Sequence, residues 1–77
     1  MYVKVKYYKG QMGGYHGAEY TYFTNLALTA GDKVIAPTKN EARQRGIVTA
    51  VNVPAPGFPC REIAESDPEA GIVEVQA

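Results

Sequence analysis

The chain has 77 residues, 45% of them hydrophobic, and a formal net charge of zero. A chain of that size is one domain that buries only about 60–65% of its unfolded surface, and its hydrophobicity excludes a disordered polymer. No apolar run nears the roughly 20 residues of a membrane helix and no charged-then-apolar leader opens the chain, so the expectation is a soluble cytoplasmic protein with no membrane partner.

Residues 2–8, YVKVKYY, alternate: Val3, Val5 and Tyr7 point one way, and Tyr2, Lys4, Lys6 and Tyr8 the other. Period two with β-branched and aromatic residues predicts a half-buried strand whose core face is Val3, Val5 and Tyr7. Residues 9–18 hold four glycines and are expected to be an irregular, flexible tip. A second strand follows over about residues 19–24, with Tyr20 and Tyr22 on one face and Thr21 and Phe23 on the other. Leu26 and Leu28 are candidate core residues, and Ala30-Gly31-Asp32 is a turn. Residues 33–37, KVIAP, predict a short third strand that Pro37 ends.

Residues 38–45 are polar and predict a loop. Glu41, Ala42, Arg43 and Gln44 are good helix formers, but eight residues are too few for a stable helix. GIVTAVNV, residues 46–53, is apolar or small on both faces and predicts a central strand. The proline-rich PAPGFP turn, residues 54–59, excludes helix and central strand. Residues 60–66 predict one helical turn anchored by Ile63, residues 67–71 a turn, and IVEVQ a last strand. Five short strands between glycine and proline turns predict an all-β domain spanning residues 1–77. The expected form is a small SH3-like five-stranded barrel with at most one short helical turn, since closure removes exposed edges.

The chemistry of the side chains points away from catalysis. Cys60 is the single cysteine, so no internal disulfide forms and a reducing compartment is expected. His16 is the single histidine and lacks the converging ligands of a metal site. Residues 10–17 lack the lysine and serine or threonine of a phosphate-binding loop. Glu62 and Glu65 have no apolar surroundings to tune them as an acid–base pair. The expectation is a protein that is not an enzyme and takes no cofactor.

Charge is unevenly spread. Residues 1–61 hold all eight lysines and arginines against Glu19, Asp32 and Glu41, a net +5, and residues 62–77 carry five acids and no base, a net −5. Tyrosines beside lysines can stack bases and neutralise phosphates. The candidate nucleic-acid-binding set is Lys4, Lys6, Tyr20, Tyr22, Lys39, Arg43 and Arg45. The same tyrosines also suit a core, with rings buried and hydroxyls at the rim, and the sequence leaves the two readings level.

The run YTYFTNLALTAGDKVIAPTKNEARQRGIVTAVN, residues 20–52, resembles the N-terminal DNA-binding subdomain of the primosomal helicase PriA. The matching positions are Tyr20 and Tyr22, the step Gly31, Val34, Ala36 and Pro37, the bases Arg43 and Arg45, and then Gly46, Ile47, Val48 and Val51. The chain is also similar to small phage and prophage proteins of unknown role that share the YTY…L…GD-x-V-x-x-P core and a later Phe58-Pro59 followed by Ile63. The helicase resemblance implies an SH3-like or OB-like barrel that holds a DNA 3′ end. The family's aspartate between the two aromatics is Thr21 here, so 3′-end binding is not carried over. The leading expectation is weak binding of single- or double-stranded nucleic acid. The alternative is a module that docks on a host or phage protein through a barrel edge and binds no nucleic acid.

Overall fold

The computed structural model describes residues 1–38 and 43–66. The elements run β1 (Tyr2–Lys9), a 3-10 turn (Gly10–Met12), β2 (Gly14–Thr24), β3 (Lys33–Pro37), β4 (Arg43–Val53), β5 (Glu62–Ile63) and β6 (Glu65–Ser66). The alternation of β1 sets its two faces. Val3 and Val5 are fully buried, while Tyr2, Lys4 and Lys6 are half-buried on the other side.

The glycine-rich stretch is more ordered than its composition suggests. Gly13, at φ +72°, closes the 3-10 turn by donating its N–H to Gly10 O at 3.2 Å, and β2 begins at the next residue. The spare residues are absorbed inside the hairpin. Val5 pairs with Tyr20 and Tyr7 with His16, so three β2 residues stand opposite Lys6 alone. Gly17 takes this bulge at φ +95°, a left-handed conformation that a Cβ would strain.

β4 is the central strand, paired antiparallel with β1 on one side and β3 on the other. It starts at Arg43, earlier than hydrophobicity alone indicates. Arg43, Gln44 and Arg45 pair with Pro37, Ala36 and Ile35, so β3 recruits them into the sheet. Gly46 is buried, paired with Tyr7 on β1 and Val34 on β3; a Cβ there would stand 2.6 Å from Val5 Cγ1.

The six strands form one mixed sheet in the order β5-β2-β1-β4-β3-β6. β5 lies parallel to β2 at Phe23–Thr24, and β6 lies antiparallel to β3 at Val34–Ile35. Only Ala64 separates β5 from β6 in the chain, so the sheet curls until its two ends share residues 62–66. The fold is the expected small all-β domain, with six strands among the described residues where five were expected, and no ladder between the two end strands is detected among those residues. The helical turn expected at residues 60–66 is absent: pairing with two sheet edges outweighs the weak helix preference of so short a segment. Among the described residues the single helical turn lies instead at Gly10–Met12. The strand expected at residues 72–76 lies outside the described residues.

The core fills the concave side of the curl. Val3, Val5, Val34, Ala36 and Ile63 are wholly buried, and Leu28 plugs one end with Leu26 partly buried beside it. Thr24 is the buried polar side chain among the described residues, and both its capacities are used. Its Oγ1 donates to Ile63 O at 2.8 Å and accepts from Leu26 N–H at 3.0 Å, tying β5 to the corner after β2.

Candidate nucleic-acid interface

Residues directly opposite one another across antiparallel strands share a face. Val3 stands opposite Tyr22 and Val5 opposite Tyr20, so both tyrosines belong to the concave side, away from Lys4 and Lys6. Tyr22 is only 4% exposed and is a core residue. A ring so enclosed cannot stack on a base, and Tyr22 leaves the candidate set for that reason. Tyr20, 47% exposed, stacks on Tyr7 at the rim, with centroids 4.8 Å apart and planes 15° apart. Lys39 lies outside the described residues.

The concave rim is held by a directed hydrogen-bond chain. Tyr22 Oη donates to Pro37 O at 2.8 Å. Tyr7 Oη lies 2.5 Å from Tyr22 Oη, and since Tyr22 has already spent its proton, Tyr7 is the donor. Burial pushes the Tyr22 phenol above its ordinary value, and the contact with Tyr7 adds to the rise. Tyr22 is thus a neutral clamp between β2 and β3.

The remaining cations of the candidate set meet on the convex face. Lys6 stands opposite Ile47, which stands opposite Lys33 on its other side, and Arg45 and Arg43 follow on the same face of β4 two and four residues away. Lys4 stands opposite Ala50 and Thr21. The lysine stems can lie along Ile47 and Ala50 while their ammonium groups reach water. Arg43 forms an exposed ion pair with Glu65, so part of its charge is compensated at the sheet edge. β1 also brings Tyr2 and Tyr8 to this face. Tyr2 packs edge-on against Phe23 at 5.5 Å, and Tyr8 edge-on against Tyr15 at 5.3 Å. Four cations of the expected set, Lys4, Lys6, Arg43 and Arg45, therefore come to one surface, joined by Lys33, Tyr15 and Phe23, which lie outside that set and whose place on this face only the strand register reveals.

Comparison with family models, with curated proteins and with solved structures finds no match. The chemistry of the surfaces is what bears on function. A second feature is a groove of about 590 Å³ along the β2 edge, where the Phe58–Arg61 segment passes Tyr20 and Thr21. Phe58, 62% exposed, stands on its wall, and Lys4 reaches it from β1. Among the described residues no group of three or more His, Cys, Asp or Glu side chains is placed to hold a metal ion, and no helix is long and apolar enough to cross a membrane.

Proposed function

We propose that this protein is a non-enzymatic module that binds nucleic acid weakly through the convex face of its sheet. The observation that carries the reading is the gathering of Lys4, Lys6, Arg43 and Arg45 beside Tyr2 and Tyr8 on one surface. Cations neutralise phosphates and release counterions, and aromatic rings offer base-stacking area. Titration of labelled single- and double-stranded oligonucleotides at low salt tests it. Binding should weaken steeply as salt rises. The double variant Lys4→Glu/Lys6→Glu should lose at least about ten-fold in affinity and show a shallower salt dependence, by roughly 1–2 in the log–log slope. No binding at high micromolar protein, or binding indifferent to the charge reversal, refutes the reading.

The β2-edge groove favours a second reading, docking on a protein partner. Exposed Tyr20 and Phe58 face a cleft beside strand residues that β5 leaves uncovered, the kind of site an extended peptide uses. Capture of a protein that survives nuclease treatment and is lost in Phe58→Ser supports this reading over the first.

A further inference from the structure

The convex face is divided lengthwise. On the β1–β2 side it is aromatic: the Tyr2–Phe23 pair at one end of β1 and the Tyr8–Tyr15 pair at the other. On the β4–β3 side it is cationic beside the Lys6–Lys9 end of β1, with Arg45 and the Glu65-paired Arg43 on β4 and Lys33 on β3. Lys4 and Lys6 run between the two lanes, on β1 itself. From this division we infer that the ligand is single-stranded nucleic acid lying along β1, its sugar–phosphate chain over the β4 side and its bases turned toward the β1–β2 aromatics. The inference rests on the nucleic-acid reading above and specifies its substrate class.

The two lanes suit a single strand and not a duplex. A duplex presents phosphates on both of its rims and keeps its base faces stacked inside, so an aromatic lane would meet only sugar and phosphate. An unpaired strand has phosphates along one side and base faces free along the other, which matches the division between β4 and β2. Edge-on packing also serves this arrangement. In a T-shaped pair one ring offers its edge, and neither of that ring's faces is covered by its partner. Tyr2 and Tyr8 lie six positions apart, about 20 Å along a strand, which spans a few extended nucleotides, at the small end of sheet-borne single-strand sites.

The experiment compares a labelled oligothymidine with a duplex of the same length at one low salt concentration, using the full chain. The single strand should bind at least about ten-fold more tightly, and its binding should quench the intrinsic tyrosine fluorescence, since stacking brings bases onto the rings. Tyr8→Leu keeps an apolar side chain at the position. It should lower single-strand affinity by about ten-fold and leave duplex binding unchanged, whereas Arg45→Glu should weaken both. Urea melts of each variant verify that it is folded, and the wild-type fluorescence and the strand comparison stand even where a variant unfolds. Equal or tighter duplex binding, or single-strand binding without quenching, overturns the inference and leaves nucleic-acid binding standing. No binding of either oligonucleotide overturns both.

Discussion

Gly46 shows how one position can limit the packing of a sheet. Its buried place in β4 sets it against β1, where an added Cβ would meet Val5 Cγ1 at 2.6 Å and Lys6 O at 3.0 Å. The second contact is backbone and cannot swing aside. Gly46→Ala should therefore destabilise the protein by about 1–3 kcal/mol, read as a lower urea midpoint with an unchanged slope. Tyr22 makes a different prediction. Its unfolded phenol ionises near pH 10, while burial and the Tyr7 contact hold the proton on to higher pH in the fold. The folded pKa is raised, so the stability tied to the proton is complete below about pH 10 and falls as pH climbs from there through the folded value. Tyr22→Phe should cost about 1 kcal/mol at neutral pH through the lost bond to Pro37 O, and it should flatten the alkaline decline seen in urea midpoints measured above about pH 9. That Tyr22 is core and Tyr20 rim could not be read locally, because both occupy the same face of the same strand.

At the scale of elements, bulges decide how β1 meets its neighbours. Tyr2 pairs with Val53 but Val3 pairs with Val51, so Asn52 is an extra residue in β4. It sits at φ +53°, the left-handed region where asparagine is among the few non-glycine residues tolerated. Asn52→Val should cost about 1–2 kcal/mol and lower the melting midpoint by several degrees, while Asn52→Gly should be near neutral. The alternation of residues 2–8, the KVIAP strand and the centrality of residues 46–53 were all legible, since each is a local pattern of side chains. Three features were not. β2 begins at Gly14 within a stretch whose glycines signal irregularity, β4 begins at Arg43 within a polar loop, and Ile63 lies in a strand instead of a helical turn. In each case a neighbouring strand supplies hydrogen-bond partners, and the ladder outweighs local preference.

For the whole molecule, residues 62–66 hold both ends of the curled sheet. Phe23 N–H donates to Arg61 O at 3.0 Å, Thr24 is tied to Ile63 O, and the next residues pair with Val34 and Ile35. Ile63 is fully buried at the junction. Ile63→Ala should cost about 2–5 kcal/mol. A domain of 77 residues has roughly 4–12 kcal/mol to lose, so the variant should be marginal. Hydrogen exchange should report loss of protection at Phe23 on β2 together with the β3 edge, because one segment covers both; loss at one edge alone would contradict the shared junction. The sequence by itself determined that the protein is all-β, which residues of each strand can share a face, and that its bases and tyrosines are interleaved on β1. Only long-range pairing placed Tyr20 and Tyr22 on the concave side, brought Lys33, Arg43 and Arg45 to Lys4 and Lys6, and set residues 62–66 across both ends of the curled sheet. The reason is physical: side-chain alternation is a property of adjacent residues, but register and strand order join segments far apart in the chain. Those are selected by how the buried faces fit as a set, and a slip of one residue reverses every side chain.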